Sequence, residues 1–259
     1  MKKIISTTLA IALMLGVFAQ ENGATNQGTF SAGARIGIGI GLSEPKQFMN
    51  FANEEFYLGR IVGMTHNSEV NFNIALYGNF AFNNFLSLQA ELNFMLYQGY
   101  DMRMTINTEG LAPSPRGFDP GLPNPAHRSF NADLSYFSLD IPLLAKVNLL
   151  GGSQNNASFG FLVGPHVSLF LGRAEFWEEN AFGVGGERDT YFDIDNSAVF
   201  GLTAGLFCSI PVGPGRVVAD FRFVRDFDAL KARTTTTNNR FDILQRSAIV
   251  FSLGYQISF

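Results

Sequence analysis

The chain has 259 residues, of which 46% are hydrophobic and only 15% are charged, and it contains 27 phenylalanines, 27 glycines and one cysteine. The single cysteine excludes an intramolecular disulfide, and the formal net charge of −4 argues against nucleic acid as a partner. So many phenylalanines with so few charges favour a wall that exposes apolar side chains to lipid over a surface that faces water.

The opening residues predict a secretory signal. Lys2 and Lys3 precede an apolar run from Ile4 to Phe18, and small residues stand where signal peptidase requires them. We expect residues 1–19 to be removed after Ala19, which leaves a single domain of residues 20–259. No later stretch approaches the roughly 20 continuous apolar residues that a membrane-spanning helix needs.

After the signal, apolar and polar residues alternate with period two, as in strands whose two faces meet different surroundings. In the first segment, 30–42, every even position is apolar and the odd positions are Ser, Gly or Arg35. The last segment carries Phe251, Tyr255 and Phe259 on one face and small or polar residues on the other, which is typical of the closing strand of a transmembrane β-barrel. The pattern predicts eight strands, at 30–42, 70–82, 86–97, 137–147, 158–171, 198–209, 217–223 and 245–259.

Long and short connections alternate between these strands. We predict four long loops, at 43–69, 99–132, 172–196 and 225–244, of which the second carries five prolines that a strand could not accommodate. Bacterial barrels combine an even strand number with short periplasmic turns and long external loops. The sequence therefore predicts an all-β fold, an eight-stranded antiparallel up-and-down transmembrane barrel of the bacterial outer membrane with both termini in the periplasm. A soluble lipocalin-type barrel would place its apolar face inside, whereas here the inward face is glycine, amide and charge.

Several stretches resemble the PorT-like outer-membrane β-barrel family of Bacteroidota. They are YFSLDIPLLAK at 136–146, 86–92 with Gly99 after it, Gly164 with Pro165, and 254–259. The most specific part is the Ile-Pro-Leu-Leu-x-Lys element at 141–146. The resemblance covers essentially the whole mature chain and implies an eight-stranded outer-membrane barrel. It implies little about activity, because the family is large and only some members are linked to protein secretion.

Six charged residues should point into the lumen on the predicted strands. An isolated charge is costly inside a narrow barrel, so we expect these residues to pair with one another and with the lumen amides in one network that holds the interior together. The alternative is a narrow, gated ion path, although eight strands leave just enough room for side chains to fill. The six are Arg35, Glu91, Asp140, Lys146, Asp220 and Arg222.

Catalytic and cofactor sites find little support. A hydrolase triad could be drawn from His166, Ser168 and Glu91, but these point into a lumen too narrow for a lipid or peptide substrate. No metal-ligand spacing occurs, and the glycine run at 37–41 lacks the helix that a nucleotide-binding loop requires. We expect no cofactor and interpret Cys208 as a small lipid-facing filler.

The predicted loops hold far more residues than strand connection requires, and long loops on a rigid scaffold often carry recognition. We therefore expect a non-enzymatic barrel whose loops contact an envelope protein or an external ligand, with a small-solute channel and an outer-membrane hydrolase as alternatives. Phe176, Trp177 and Phe182 either bind a partner or anchor the third loop at the membrane interface, and we favour anchoring. The other expected partners are outer-membrane lipid and the barrel assembly machinery, which would read the terminal signal of Tyr255, Ile257 and Phe259.

Overall fold

A computed structural model describes residues 28–42, 46–55, 60–68, 70–108, 127–150, 156–178, 188–192, 194–195, 198–233 and 239–259. The expected signal at 1–19 and the five prolines of the second predicted loop lie outside these ranges. Among the helices that are described, none is long and apolar enough to cross a membrane.

One helix and twelve strands form in the described part of the chain. The helix is α1 (Lys46–Glu55), and the strands are β1 (Thr29–Gly41), β2 (Ile61–Ser68), β3 (Val70–Ala81), β4 (Leu86–Asn107), β5 (His127–Leu150), β6 (Ser158–Glu178), β7 (Arg188–Phe192), β8 (Ala198–Val212), β9 (Gly215–Asp226), β10 (Leu230–Arg233), β11 (Arg240–Leu244) and β12 (Ser247–Ser258).

Eight of these strands close into a barrel. Every neighbouring pair is antiparallel in the order β1, β3, β4, β5, β6, β8, β9 and β12, and β12 returns to pair with β1. The closing contact aligns Ser31 with Ser258 and Gly41 with Ala248. The predicted eight-stranded antiparallel barrel is confirmed.

The wall of the barrel is apolar outside and polar inside. Ile36 is 66% exposed on the outer surface, as are many other apolar side chains of the barrel strands, including Phe72, Phe161 and Phe221. Polar side chains of the same strands are buried in the lumen. This arrangement inverts that of a soluble barrel and matches a wall surrounded by lipid.

The two ends of the barrel differ. At one end, here called the turn end, β3 joins β4 and β8 joins β9 through short turns, and the chain enters β1 and leaves β12. The Asn83 side chain stabilises the first turn by accepting hydrogen bonds from the backbone N–H groups of Phe85 and Leu86, both at 2.8 Å. Gly213 adopts a φ of +60° in the second turn, a conformation that glycine enters without steric cost. The opposite end, the loop end, carries the long connections.

The long connections fold into a cap, so the prediction that they are loops is wrong for most of the described residues. The segment 43–69 contains α1 and β2, and 172–196 contains the end of β6 and β7. The segment 225–244 contains the hairpin of β10 and β11, and 99–132 supplies the ends of β4 and β5. The cap sheet runs β2, β4, β5, β6, β7, so three barrel strands continue directly into it.

A β-bulge hides the continuation of β4 from the sequence pattern. The pairing with β5 shifts register between Met95 and Gln98, so the inward side chains change from odd positions to even ones. Gly99 follows the shift, and a Cβ there would lie 1.6 Å from the carbonyl oxygen of Leu134. Only glycine tolerates this close approach of two backbones, and the alternation resumes with Tyr100 buried.

The cap has a hydrophobic core of its own. Phe48, Phe51 and Ala52 of α1 share one face at helical spacing and are fully buried. The Phe48 ring lies 5.9 Å from that of Phe51 and 5.4 Å from that of Phe176 on β6. Side chains from β2, the extended strands and the hairpin complete this cap core: Ile61, Tyr100, Met102, Met104, Ile106, Phe130, Ala132, Leu134, Tyr136, Ala174, Leu230, Ala232, Ile243 and Leu244.

Candidate functional site

Four charged side chains form an ion cluster in the lumen toward the turn end. Arg35 lies 3.3 Å from Asp220 and donates two hydrogen bonds to the Glu91 carboxylate. Arg222 lies 2.8 Å from Glu91 and 2.7 Å from Asp220. Each guanidinium thus meets both carboxylates, a fixed fork geometry that compensates for burial. We call Arg35, Glu91, Asp220 and Arg222 the turn-side cluster.

Lys146 lies beside this cluster without joining it. Its Nζ donates a 3.0 Å hydrogen bond to Gln89 and lies 4.3 Å from the centre of the Phe207 ring. The side chain is buried, yet no carboxylate of the described residues lies within ion-pair distance of it. Lys146 therefore forms no ion pair with any of the other five charged residues of the predicted lumen network.

Asp140 belongs instead to a second group, nearer the loop end. Arg246 lies 2.8 Å from Asp140 and 3.0 Å from Asp226. His166 places Nε2 2.8 Å from Asp226 and Nδ1 3.0 Å from the Thr203 hydroxyl. We call Asp140, His166, Asp226 and Arg246 the loop-side cluster. The single network expected from the sequence is thus two clusters at different heights in the lumen.

Two members of the loop-side cluster were missed by sequence reasoning. Arg246 precedes Ala248 and Val250 at the same two-residue spacing, and all three side chains point inward. The alternation along the closing strand therefore predicts the inward orientation of Arg246. Asp226 was assigned to the fourth predicted loop, but β9 continues through it. Alternation identifies the face of a strand that a residue occupies, but it does not say which side chain lies at the same height across the lumen.

The geometry does not assemble the hydrolase triad drawn from the sequence. Ser168 accepts a 2.6 Å hydrogen bond from Arg246, and no hydrogen bond joins it to His166 in the described structure. The acid that contacts His166 is Asp226, while Glu91 lies in the other cluster. Among the described residues, no group of three or more His, Cys, Asp and Glu side chains could hold a metal ion.

The outer face of the cap sheet carries a polar groove of about 720 Å³. Cross-strand pairing sets Asn67, Asp101, Asp133 and Trp177 side by side on β2, β4, β5 and β6. A second cross-strand row aligns Thr65 on β2 with Arg103 on β4 and Asn131 on β5. The groove is lined by Thr65, His66, Asn67, Asp101, Met102, Arg103, Asn131, Asp133 and Trp177.

Two carboxylates face each other in this groove. Asp101 and Asp133 are direct cross-strand partners, the first exposed and the second partly buried. Burial raises the pKa of Asp133 above its ordinary value, and the charge and hydrogen bond of Asp101 raise it further. Asp133 therefore holds a proton to a higher pH than an ordinary aspartate does, and both side chains can accept hydrogen bonds from a bound molecule.

Residues 18–228 match the family model of the outer membrane protein beta-barrel domain. The chain belongs to this family. The apolar outer surface of the barrel therefore faces the lipid of the bacterial outer membrane. Comparison with curated proteins found no match.

Several solved outer-membrane barrels are similar to the chain at low sequence identity. Neisserial surface protein A is 14% identical, with 92% of this chain and 100% of that chain covered and a TM-score of 0.39. OprG from Pseudomonas aeruginosa is 10% identical over 89% of this chain and 96% of its own, with a TM-score of 0.47. The outer membrane protease OmpT from Escherichia coli is 12% identical over 92% and 99%, with a TM-score of 0.43.

The apolar outer belt of this barrel ends, along β4, before the groove begins. On β4 the outward apolar positions run from Leu86 to Leu96, which matches the roughly 9–11 residues that a tilted strand needs to cross a bilayer. Beyond the bulge, the outward positions become polar, beginning with Asp101 and Arg103. On β4, the residues that line the groove thus lie beyond the apolar belt.

The aromatic candidates of the third predicted loop separate in the structure. Phe176 is 1% exposed and belongs to the cap core, so its interpretation as a membrane-interface anchor is wrong. Trp177 points to the opposite face and lines the groove, while Phe182 lies outside the described residues. The reason is strand alternation, since β6 continues through both residues and sends them to opposite sides.

The proposed assembly signal occupies the outer face of the closing strand. Tyr255, Ile257 and Phe259 are exposed toward lipid, and the Phe259 ring stacks on Phe30 at 6.1 Å. Cys208 is likewise exposed on β8 beside Leu206 and Ile210. Recognition of this strand by the assembly machinery stays a prediction.

Proposed function

We propose that this protein is a non-enzymatic, non-conducting outer-membrane barrel whose folded cap binds a hydroxyl-rich ligand outside the cell. One observation carries the proposal: the groove lies across four strands of the cap, above a lumen that two clusters of paired side chains cross. The short turns support a periplasmic location for the turn end and both termini, because bacterial barrels place their short turns there.

The packing of the lumen supports a structural role for the barrel over conduction. The seven aspartate, glutamate and arginine side chains of the two clusters form ion pairs in the interior, and all of them are buried. Beyond them, the cap core closes the loop end with apolar side chains. An ion would have to displace paired charges and then cross a hydrophobic barrier.

The chemistry of the side chains that line the groove supports the proposal that the ligand is polyhydroxylated. Trp177 offers an apolar ring face on a fixed strand, and Asp101 and Asp133 offer acceptors for hydroxyl donors. Asn67 and Asn131 carry both donors and acceptors. An aromatic face bordered by carboxylates and amides suits the alternating apolar and hydroxyl surfaces of a saccharide.

We also propose that the chain belongs to the PorT-like branch of its family, on the resemblance of residues 136–146. In the structure this stretch supplies Asp140 to the loop-side cluster and Lys146 to the turn-end half of the lumen. Its inward positions therefore have roles in the barrel interior.

The experiment uses the only tryptophan of the chain as the probe. Trp177 lines the groove, so its fluorescence should report a bound ligand directly. A glycan array read with refolded protein identifies candidates, and titration of each candidate is followed by Trp177 emission. Asp101→Asn and Asp133→Asn should weaken binding about tenfold, since hydrogen bonds to charged groups contribute about 1.5–3 kcal/mol.

Thr105→Ala is the matched control. Thr105 lies on the same sheet, partnered with the Ser129 hydroxyl at 2.9 Å, and does not line the groove. It should leave binding unchanged. The proposal fails if no glycan binds above the background of an unrelated barrel, or if Thr105→Ala weakens binding as much as the groove variants.

A further inference from the structure

A cavity of about 470 Å³ opens at the turn end of the lumen. It lies at the end of the barrel opposite the cap, beneath Lys146 and Phe207. Its volume falls in the range of small-molecule sites, roughly 300–1,000 Å³. In the orientation proposed above, the cavity faces the periplasm.

The described residues that line the cavity include two cations, Lys146 and Arg216, and no aspartate or glutamate. The remainder are mostly serine, asparagine and glutamine. A concave surface of one charge sign concentrates counter-ions, and low-dielectric walls strengthen that effect. The cavity therefore selects for negative charge.

Lys146 supplies a buried positive charge that no carboxylate of the described residues contacts directly. The neighbouring turn-side cluster contains two guanidinium groups and two carboxylates, so its charges cancel without Lys146. Lys146 is 7% exposed, and its one described hydrogen bond goes to the neutral side chain of Gln89. An ammonium group has three donors, and burial without an anionic partner is costly. A bound anion would supply that partner.

Arg216 is held in position at the mouth of the cavity. Its Nε donates to the Ser209 hydroxyl at 3.0 Å, and its Nη2 donates to the Ser158 hydroxyl at 3.2 Å and to the Asn156 carbonyl at 2.7 Å. A guanidinium fixed in this way loses little further side-chain entropy when an oxyanion binds.

Neutral donors complete the lining. Gln256 donates a 2.7 Å hydrogen bond to the Ser31 hydroxyl, and Asn79 donates to the same hydroxyl at 3.4 Å. Asn79 is buried, and its Oδ1 has no partner within the described structure. The cavity thus combines two cations with polar groups that can contact hydroxyls of a ligand.

We propose that the turn-end cavity is a binding site for a small organic molecule that carries an oxyanion group, a phosphate or a carboxylate. Lys146 contacts the oxyanion from inside the lumen, and Arg216 contacts it from the mouth. The serine and amide side chains bind the remainder of the molecule. This site is independent of the groove on the cap and lies on the other side of the membrane.

Isothermal titration calorimetry on the refolded mature chain in detergent tests the site. The probes are inorganic phosphate, succinate, glycerol 3-phosphate and glycerol, in a buffer without phosphate or carboxylate. We expect at least one anion to bind and glycerol not to bind. Lys146→Gln and Arg216→Gln should each weaken anion binding about tenfold or more, because each removes a charge-assisted contact.

Lys231→Gln is the matched control, since it makes the same charge change at a partly exposed position of the cap hairpin. It should leave anion binding unchanged. If Lys146→Gln does not refold, Arg216→Gln decides the question. The proposal is overturned if no anion binds, if glycerol binds as tightly as glycerol 3-phosphate, or if the control weakens binding as much as the cavity variants.

Discussion

The barrel and the cap share three strands but have opposite interiors. Along β5, the inward side chains Lys146 and Asp140 face ion pairs and amides, whereas Leu134 and Phe130 face the cap core. In the barrel, lipid surrounds the wall and apolar side chains gain nothing by turning inward. In the cap, water surrounds the sheet, so apolar side chains collect inside. The inner face of the same strand is therefore polar where lipid surrounds the strand and apolar where water surrounds it.

The first prediction concerns a variant that disrupts the loop-side cluster in the barrel interior. Arg246→Met leaves Asp140 and Asp226 buried together without their guanidinium partner. We expect a loss of at least about 3–5 kcal/mol in the free energy of unfolding, the cost of breaking a buried ion pair from one side. Urea unfolding in detergent micelles measures it. Adding Asp140→Asn to Arg246→Met should recover part of the loss, and strict additivity would show that the two are not partners.

The second prediction concerns a variant that destabilises the cap and leaves the barrel folded. Phe51→Ala removes a fully buried ring from the cap core, at a cost of about 3 kcal/mol for a large-to-small change. Because α1 packs in the cap, the loss should be local. Limited proteolysis should cut the cap faster, while heat-modifiable mobility on gels keeps the folded barrel band. Loss of that band would mean that the cap and barrel unfold as one unit.

The sequence predicts the barrel well and the cap poorly, because the two regions differ in the regularity of their hydrophobic patterns. The barrel strands repeat period two over ten or so residues, with one apolar face, so their number, faces and lumen charges were predictable. The cap was not, because the bulge before Gly99 reverses the parity of β4 and conceals its continuation. The helical spacing of Phe48, Phe51 and Ala52 was present but stands in a short polar segment.

The lumen shows the same limit at the level of single residues. Parity placed Asp140 and Lys146 on the inward face, but pairing depends on height and on side chains from distant strands. The partner of Asp140 is Arg246, 106 residues away along the chain. Single-sequence patterns carry no information on such a contact.

The third prediction sharpens the division of the lumen into two clusters. Lys146→Met and Asp140→Asn should act independently, because they belong to different groups of contacts. We expect a coupling free energy below about 0.5 kcal/mol in a double-mutant cycle. A larger coupling, measured by urea unfolding of the two single variants and the double variant, would mean that one network spans the lumen.

The fourth and smallest effect concerns pH and the cap alone. The pKa of Asp133 is raised in the folded cap by burial and by Asp101. The folded state therefore binds the proton more tightly than the unfolded state does, and cap stability should fall as the pH rises from the ordinary aspartate pKa of 3.8 through the raised value. Hydrogen exchange of β4 and β5 amides should report this trend. Asp133→Asn should flatten it, and an unchanged trend would assign it to other groups.

Planar-bilayer recording tests the closed barrel beneath the cap most directly. Refolded protein is inserted into the bilayer, and flotation with liposomes establishes insertion independently. Because two clusters of paired charges cross the lumen and the cap core covers its loop end, the wild-type protein should give no conductance steps above those of detergent alone. Reproducible single-channel steps from the wild-type protein would contradict the closed barrel and favour a small-solute channel.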